Sequence, residues 1–329
     1  MRALQQTSLD GPQDLKLTDV PIPHPGPGEL LLRVTAAGVN YVDISQSHGT
    51  FATGPQPPYT AGIEAAGEVV AIGTGPTAAG GAGATVAVGT HVVGATIGGG
   101  AFAEYCVIPA VAAIPVPPGW DDEKALGLAV SWPTALAALR LGALTAGQTV
   151  LIHAAAGSTG QTAVKLAKHY GATVVATASP EKHETVRRLG ADHVLDARNP
   201  NLATEILTLT NGVDLTLESI GGPTLEASLA ATKRVTGRVV IYGLPAGTAS
   251  ITNWDLVYKH QVHLIGLNLG ALIQHAPQTF GEVMHELFNL ITTGVLGPGQ
   301  PTTYDLTDGP KALTELKSRA TTGKLALRP

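Results

Sequence analysis

The feature that most constrains the fold of this chain is an apolar strand that runs into a small-residue turn and then a helix. It spans Val150–Gln161 and reads VLIHAAAGSTGQ. Beyond it, apolar strand patterns alternate with helical patterns to about residue 268. Strands that are apolar along their whole length are buried on both faces, as in a parallel sheet with helices on each side. The sequence therefore predicts an α/β fold, with a doubly wound parallel sheet in the middle of the chain.

The elements of this central segment are predicted from the period of the apolar residues. The predicted strands are Thr149–His153, Thr173–Thr177, Val194–Leu195, Val213–Glu218, Arg238–Tyr242 and His263–Leu267. The predicted helices are Gln161–Tyr170, Pro180–Leu189 and Leu202–Thr210.

The two ends of the chain have a different pattern. Residues 1 to about 120 favour short strands and turns. Strands are predicted at Leu30–Ala36, Ala65–Gly73 and Thr90–Gly94, an exposed loop at Gly73–Gly83, and a helix start at Asp121–Lys124. Residues 269–329 carry two predicted helices, Phe280–Thr292 and Lys311–Ala320, and are too short for a domain of their own. We therefore predict a mostly-β domain built from residues 1–123 and 269–329, and a second domain at 124–268.

Composition excludes several classes of function. The 329 residues carry a net charge of −5 and no run of Lys and Arg, so a nucleic-acid partner is not expected. Cys106 is the single cysteine, which rules out an intrachain disulfide and any metal site that needs two thiolates. No apolar stretch has signal-peptide or membrane-spanning character. We expect a cytoplasmic protein without membrane contact.

The turn after the first central strand is a candidate phosphate site. In such turns backbone N–H groups approach a pyrophosphate, and the following helix N-terminus adds a favourable partial charge. Against the pattern Gly-x-Gly-x-x-Gly, the first position is Ala155, while the other two are glycines. The candidate residues are Ala156, Gly157, Ser158, Thr159 and Gly160. The alternative is a tight strand–helix turn that binds nothing.

The end of the second central strand indicates which dinucleotide binds. An NAD site usually has Asp or Glu there for the ribose 2′-hydroxyl. Here the segment Ala176–Lys182 reads ATASPEK and has no carboxylate at the strand end. Ser179 and Lys182 suit a 2′-phosphate, which favours NADPH as cofactor. The alternative is a helix-capping serine and a solvated lysine.

Three stretches together resemble the medium-chain dehydrogenase/reductase superfamily, and within it the zinc-free quinone oxidoreductase (zeta-crystallin-like) group. They are Gly38–Asp43, Pro58–Val69 and His153–Gly160. The similar sequence pattern continues to Ser318–Lys324, so the resemblance covers essentially the whole chain. Ala176–Lys182 is also similar to the cofactor loop of polyketide enoyl reductases.

The resemblance implies a GroES-like catalytic domain formed by both ends of the chain, with a Rossmann domain inserted between them. It also implies a homodimer in which the strand near His263–Leu267 pairs with its mate. Zinc-dependent relatives have a cysteine at Asn40 and a histidine at Ile63, so both ligands are missing here. Asn and Ile side chains do not hold Zn²⁺, and we expect no metal.

The resemblance also implies roles for individual residues. Asn40 would lie beside the nicotinamide, and Tyr41 and Tyr59 near the substrate. The remaining cofactor contacts would come from Val130 and Thr134, from Ser219, Ile220, Tyr242, Gly243 and Leu244, from Leu267, Asn268 and Leu269, and from Arg319 and Lys324 near the 2′-phosphate.

The chain also departs from its relatives in several places. A tyrosine near the 2′-phosphate is Ala197 here, and the neighbouring Arg198 either compensates for it or is an ordinary surface residue. A substrate-side tyrosine of enoyl reductases is Phe51, which has no proton to give. Ser158 and Thr159 replace Gly and Val of the relatives' loop.

The predicted reaction is hydride transfer from NADPH to a quinone or an α,β-unsaturated carbonyl. The oxygen of either acceptor gains negative charge, which hydrogen-bond donors must stabilise when no metal does. Asn40, Tyr41 and Tyr59 are the candidates, and each of them has a purely structural alternative. Two other functions stay open. One is an NADPH-binding protein without turnover, and the other is a redox-neutral or cyclising enzyme.

Overall fold

The computed structural model describes residues 1–51, 54–74, 86–96 and 98–329. It divides into two compact units, one formed by Met1–Val130 with Pro298–Pro329 and the other by Ser131–Gly297. The predicted loop at 73–83 lies outside the described residues from residue 75 onwards. Within the described part, no helix is long and apolar enough to cross a membrane.

The first unit is mostly β-structure. Its strands are β1 (Arg2–Gln6), β2 (Leu15–Asp19), β3 (Glu29–Val39), β4 (Tyr59–Thr60), β5 (Glu64–Ile72), β6 (His91–Ala95), β7 (Tyr105–Pro109), β8 (Ile114–Pro115), β15 (Thr302–Asp305) and β16 (Leu325–Arg328), and its helices are α1 (Tyr41–Ser47), α2 (Asp122–Ala125) and α10 (Gly309–Lys317). Short 3-10 turns lie at Pro12–Asp14, Ala110–Ala112 and Leu306–Asp308.

The second unit alternates strands and helices. Its strands are β9 (Thr149–Ile152), β10 (Thr173–Ala178), β11 (His193–Asp196), β12 (Leu215–Glu218), β13 (Arg238–Ile241) and β14 (His263–Gly266), and its helices are α3 (Ser131–Leu141), α4 (Ser158–His169), α5 (His183–Arg188), α6 (Leu202–Thr210), α7 (Pro223–Ala231), α8 (Leu269–His275) and α9 (Pro277–Thr292). A 3-10 turn precedes α5 at Pro180–Lys182, and a π-helix lies at Asp255–His260.

In the first unit, one sheet joins the two ends of the chain. Its order is β15-β16-β3-β5-β6-β8, with β7 paired to β3, and β2-β1-β4 form a second, smaller sheet. The C-terminal β16 pairs antiparallel with the end of β3, where Leu325 lies opposite Val39. Leu32, Phe102 and the single cysteine, Cys106, belong to the core of this unit. The C-terminal segment therefore completes the sheet that the N-terminal segment begins.

Helix α1 was not predicted, since the sequence analysis assigned this region to strands and turns. Asn40 is its N-cap, and the carboxylate of Asp43, three residues later, accepts the Asn40 backbone N–H at 2.7 Å. This reciprocal arrangement is a capping box, a recognised signal for a helix start. The helix is short, and its buried side chains are Asp43, Ile44, Gln46 and Ser47. Because Gln46 and Ser47 are polar although they are buried, the sequence lacks the apolar period that predicts an amphipathic helix.

In the second unit, the sheet order is β11-β10-β9-β12-β13-β14, and every pair is parallel. This is the doubly wound order 3-2-1-4-5-6 of a Rossmann domain, which confirms the predicted fold class. Val150, Leu151 and Ile152 of β9 are fully buried, as expected for a central strand covered on both faces.

The bounds of several elements differ from the prediction. Helix α4 begins at Ser158 and not at Gln161, so the small-residue turn is shorter than predicted. The predicted helix at Pro180–Leu189 is a 3-10 turn followed by α5. Helices α8 and α9 belong to the second unit, where α9 packs against α3, whereas the sequence prediction has residues 269–329 in the first domain.

Candidate functional site

In the second unit, the predicted cofactor residues lie at one edge of the sheet. They follow the carboxyl ends of β9 through β14, in the order Ala156–Gly160, Ser179 and Lys182, Arg198, Ser219 and Ile220, Tyr242–Leu244, and Leu267–Leu269. Since all six strands are parallel, their carboxyl ends share an edge, and ligands of such sheets bind there. Thr134 lies on α3, and Val130 is the last residue of the first unit's long segment.

The turn after β9 is shaped for close backbone approach. Gly157 is the N-cap of α4, and the first N–H groups of a helix have no acceptor within the helix. At Gly160 a Cβ atom would overlap the Ala154 carbonyl oxygen and lie 2.7 Å from Ala155 Cα. A glycine is therefore required for α4 to pack this tightly on the turn, as in a dinucleotide-binding loop.

Two buried hydroxyls at this edge have no hydrogen bond of good geometry among the described residues, although Glu181 lies near the first and Tyr242 near the second. They are Ser179 Oγ, after β10, and Ser219 Oγ, after β12. A buried polar atom without a partner costs free energy, and native structures usually satisfy such atoms with a ligand or water. The pair suits a ligand that carries hydroxyl or phosphate groups.

Arg198 contacts Glu181, a residue of the loop that follows Ser179. Its guanidinium is 3.4 Å from a Glu181 carboxylate oxygen and 3.4 Å from an Asp196 carboxylate oxygen. All three side chains are exposed or partly exposed, so these contacts are weak. Arg198 is therefore free to turn toward an anion with a higher charge than either carboxylate.

In the first unit, Asn40 and Lys324 meet in a buried polar cluster. Lys324 Nζ donates to Asn40 Oδ1 at 2.7 Å and also to Glu64 Oε2. Glu64 Oε1 accepts the Gly127 N–H at 2.6 Å. Glu64 is 0% exposed and Lys324 is 7% exposed, so this ion pair is almost fully removed from water.

Gly38 makes room for this ion pair. A Cβ atom on Gly38 would overlap the Glu64 carboxylate and lie 2.9 Å from Lys324 Cε. Gly38 lies near the end of β3, Glu64 begins β5 and Lys324 directly precedes β16. The ion pair therefore lies against Gly38 and connects the ends of β16, β3 and β5, which are neighbours in the sheet.

The side chain of Asn40 is fully engaged in this cluster. Its Nδ2 donates to the Gly38 carbonyl at 3.0 Å and to Glu64 Oε2 at 3.0 Å, while its Oδ1 accepts from Lys324. An amide nitrogen has only two N–H donors. Both are used within the protein, so this arrangement favours a positioning role for Asn40 over donation to a substrate oxygen.

Asp43 is the second buried carboxyl group of this region. Burial is the largest cause that raises its pKa to about 7, although the Asn40 N–H and the Lys324 charge act in the opposite direction. Its Oδ1 has no hydrogen-bond partner among the described residues. The group therefore exchanges its proton near neutral pH.

The two tyrosines of the predicted substrate side keep their protons. Burial raises the pKa of Tyr59 to about 12, with a smaller contribution from the charge of Asp43. Burial also raises the pKa of Tyr41, and the charge of Arg319 partly offsets this. Both hydroxyls remain donors at neutral pH, as stabilisation of an oxyanion requires.

Sequence reasoning missed Glu64, Asp43 and Gly127, and it assigned Lys324 to phosphate binding. Glu64 follows Ile63, the position where zinc relatives have histidine, and this proximity was the available signal. The described residues contain no group of three or more His, Cys, Asp and Glu side chains arranged to hold a metal ion.

Two family models match the chain. The model described as the alcohol dehydrogenase GroES-like domain matches residues 26–118, and the model described as zinc-binding dehydrogenase matches residues 158–289. The first match lies in the unit with the mixed β-sheets, and the second lies in the parallel α/β unit.

Curated relatives match over most of the chain. Prostaglandin reductase-3 of Bos taurus is 39% identical over 286 residues, which are 84% of this chain and 73% of that protein. A quinone oxidoreductase of Pseudomonas aeruginosa is 31% identical and is covered to 99% by the whole of this chain. A mycocerosic acid synthase-like polyketide synthase of Mycobacterium tuberculosis is 33% identical, and the chain spans only 14% of its length.

Solved structures show the same fold. A mycobacterial protein in complex with NADPH has a TM-score of 0.92 and 31% identity, with 100% of both chains covered. The enoyl reductase CurK has a TM-score of 0.85 and 26% identity, with 99% of both chains covered. The architecture of both units is therefore shared with a protein that binds NADPH and with an enoyl reductase.

Proposed function

The chain belongs to the medium-chain dehydrogenase/reductase superfamily, and on this premise we propose that it is an NADPH-dependent reductase of quinones or α,β-unsaturated carbonyls. Its relatives include a quinone oxidoreductase and an enoyl reductase, which act on these two acceptor classes. Both classes are electron-poor at carbon, and both collect negative charge on oxygen when they accept a hydride.

The observation that carries this proposal is the edge of the parallel sheet in the second unit. Six strand ends present the predicted cofactor residues there, and α4 offers its N-terminus on a turn that only glycine allows. The buried hydroxyls of Ser179 and Ser219 lie after β10 and β12, on the two sides of β9. This donor set suits the pyrophosphate and riboses of a dinucleotide.

The preference for NADPH over NADH rests on the loop after β10. This loop has Ser179 at the strand end in place of a carboxylate, followed by Lys182, and Arg198 lies nearby after β11. We propose that these three side chains hold the 2′-phosphate. Lys324 is not part of this proposal, because its ammonium is committed to Asn40 and Glu64.

NADPH supplies a hydride when it is bound. The chain itself has to orient the acceptor and stabilise the negative charge on its oxygen. We propose the hydroxyls of Tyr41 and Tyr59 as the donors for this charge, since both stay protonated at neutral pH. We propose a positioning role for Asn40, whose side chain is held by hydrogen bonds to Glu64 and Lys324.

A homodimer through β14 remains part of the proposal. This strand forms one edge of the six-stranded sheet, and the π-helix that precedes it exposes Val257 and Tyr258. An open strand edge with apolar neighbours is suited to pairing with a second copy. Sedimentation of the purified protein at micromolar concentration decides between one and two copies.

The test is a titration with NADPH and NADH, followed by turnover assays with 1,4-benzoquinone, 9,10-phenanthrenequinone and trans-2-enoyl thioesters. We expect NADPH to bind more tightly than NADH and to be consumed with one acceptor class, at rates well above those without protein. Tight NADPH binding without consumption by any acceptor contradicts the reductase function. It favours either a binding protein or a redox-neutral enzyme on the same fold.

The 2′-phosphate assignment has its own test. Lys182→Ala should weaken NADPH binding about tenfold and leave NADH almost unchanged, because a charge-assisted hydrogen bond to phosphate is lost. Lys165→Ala, at an exposed position on α4, is the matched control and should change neither affinity. Equal losses for both nucleotides in Lys182→Ala contradict the assignment.

A further inference from the structure

A chain of buried hydrogen bonds runs below the carboxyl edge of the parallel sheet. His153, the residue directly after β9, is 1% exposed. Its Nδ1 is 3.0 Å from Thr177 Oγ1 on β10, and its Nε2 is 2.9 Å from Ser228 Oγ on α7. Ser228 Oγ in turn lies 3.2 Å from Glu218 Oε2 at the end of β12. The four residues come from β10, β12, α7 and the position directly after β9.

The direction of each hydrogen bond follows from counting protons. Ser228 has one hydroxyl proton, and the Thr224 carbonyl, 2.8 Å away, only accepts. The serine proton is therefore directed toward that carbonyl and the Glu218 carboxyl group. His153 Nε2 must then donate to Ser228 Oγ, which leaves Nδ1 to accept from the Thr177 hydroxyl. Burial lowers the pKa of His153 to about 4, so the ring is neutral and has this one tautomer at neutral pH.

At its Glu218 end, the chain of hydrogen bonds holds the loop that follows β12. Glu218 Oε1 accepts the N–H of Ile220 at 2.6 Å and that of Gly221 at 3.2 Å. Glu218 is fully buried, and its position decides where these two backbone groups lie. Ser219 and Ile220, two proposed cofactor contacts, belong to this loop.

The loop after β12 is in turn attached to the loop after β13. Ala246 N–H donates to the Ile220 carbonyl at 2.8 Å, and Gly222 N–H donates to the Gly247 carbonyl at 3.0 Å. The two loops are closely packed, since a Cβ atom on Gly221 would lie 2.5 Å from the Gly247 carbonyl oxygen. A displacement of the first loop is therefore passed on to the second loop, which contains Gly243 and Leu244.

We propose that His153, through Ser228 and Glu218, is a positioning residue that holds the two loops at 219–222 and 243–247 in the geometry that binds the cofactor. This inference rests on the proposed function, because it assigns these loops to nucleotide binding. His153 does not contact the cofactor in this proposal. It acts through the position of Ile220 and Gly221, and its loss affects both nucleotides since the 2′-phosphate is held elsewhere.

The test compares His153→Leu, His153→Gln and Ser228→Ala in the full-length protein. We expect His153→Leu and Ser228→Ala each to raise the Kd for NADPH and for NADH about tenfold, with kcat at saturating NADPH changed less than threefold. His153→Gln should stay within threefold of the wild type, because a neutral amide both accepts and donates as the ring does. The double variant His153→Leu/Ser228→Ala should bind each nucleotide no more weakly than whichever single variant has the higher Kd.

A matched control separates positioning from a general loss of stability. Thr216 lies two residues before Glu218 on β12, and its hydroxyl pairs at 2.8 Å with that of Thr232, also buried. Thr232 also donates to the Ser228 backbone carbonyl at 2.7 Å. Thr216→Val removes a buried hydrogen bond on the same strand and leaves this contact and the side-chain contacts of His153, Ser228 and Glu218 in place, so both Kd values should be unchanged. Equal weakening in Thr216→Val, or unchanged Kd values in both His153→Leu and Ser228→Ala, overturns the proposal.

Amide hydrogen exchange gives a readout that needs no nucleotide. Exchange of the peptide that contains residues 219–222 should be faster in His153→Leu than in the wild type and unchanged in Thr216→Val. Unchanged exchange in His153→Leu overturns the positioning role, whatever the wild type binds. If the wild type binds neither NADPH nor NADH, the proposed function is wrong, and so is the part of this inference that concerns cofactor binding. Faster exchange in His153→Leu would then still show that the His153–Ser228–Glu218 hydrogen bonds hold the loop.

Discussion

The two units each bury a polar cluster at the ends of their strands, but the two clusters are built differently. In the first unit Lys324, Glu64 and Asn40 form an ion pair with an amide beside it. In the second unit, His153 and Ser228 form an uncharged path to the single carboxyl group of Glu218. The first cluster holds together segments far apart in the chain, while the second sets the position of loops.

The difference shows where each unit is vulnerable. A buried ion pair is stable only while both charges are present, since each alone has a high desolvation penalty. A neutral hydrogen bond that is lost leaves a smaller penalty, and its loss is felt mainly where geometry matters. We therefore expect substitutions in the first cluster to reduce stability, and those in the second to reduce ligand affinity at a lower cost in stability.

The largest expected effect is that of Lys324→Met. It leaves the fully buried Glu64 charge without its cation, and the free energy of unfolding should fall by about 3–5 kcal/mol. The double variant Glu64→Gln/Lys324→Met, in which both members are neutral, should regain most of this loss. Chemical denaturation of the three proteins measures it. A double variant as unstable as Lys324→Met would show that the charge imbalance is not the cause.

The two units should also respond to pH in opposite directions. His153 has a pKa of about 4 in the folded state and about 6.5 in the unfolded chain, so it stabilises the fold fully above pH 6.5. As the pH falls from 6.5 to 4, the unfolded state gains protons and about 3 kcal/mol of stability is lost. His153→Gln should remove this loss. Denaturation of both proteins between pH 4 and 8 tests it, and parallel curves contradict it.

Asp43 provides the opposite case in the first unit. Its pKa is raised to about 7 in the fold, so its contribution is fully present below its unfolded value of 3.8 and is lost as the pH rises to 7. Lys324, Glu64 and Tyr59 are the charged and titratable groups that act on it or are affected by it. Asp43→Asn should therefore show less decline in stability than the wild type between pH 4 and 7. An unchanged decline in the same denaturation series would assign it to another group.

Gly38→Ala should have a smaller effect that is specific to the charged cluster. The added methyl group overlaps the Glu64 carboxylate, which is fixed on both of its oxygens, and we expect a loss of about 1–3 kcal/mol. Gly281→Ala on α9, where a Cβ atom meets nothing within 4 Å, is the control and should gain about 0.5–1 kcal/mol. Thermal unfolding of both variants measures the contrast, which disappears if the cluster yields without cost.

The smallest expected effect is that of Thr177→Val. The change keeps the shape of the side chain but removes the hydroxyl that donates to His153 Nδ1, so about 1 kcal/mol of stability should be lost. Because Ser228 and Glu218 keep their contacts, affinity for NADPH should fall less than in Ser228→Ala. A larger loss of affinity in Thr177→Val would place the important contact at β10 and not at α7.

Much of the fold could be predicted from the sequence, because its strands are unusually apolar and its helices are separated by glycines. All six strands of the parallel sheet were predicted, with bounds within two residues of those observed. Helices α1, α7 and α8 are among those that were not predicted, and for α1 and α8 the physical reason is clear. Helix α1 has few apolar residues, and its capping signal at Asn40 and Asp43 lies in a region of strands. Helix α8 follows β14 after only two residues, so no turn signal separates them.

The site was predictable where it follows from local sequence. Loop residues after strand ends are found by their order in the chain, since parallel strands bring those ends together. Contacts between distant positions are not found in this way. Glu64 and Lys324 are 260 residues apart, and His153 and Ser228 are 75 apart. Nothing in the sequence pairs His153 with Ser228.

The burial of Cys106 has a consequence for the chemistry proposed here. Quinones and enones alkylate thiolates, yet the only thiol of this chain lies in the core of the first unit, and burial raises its pKa to about 12. The protein therefore presents no nucleophilic sulfur to electrophiles of this kind. It should tolerate prolonged exposure to reactive acceptors that would arylate and inactivate proteins with accessible cysteines.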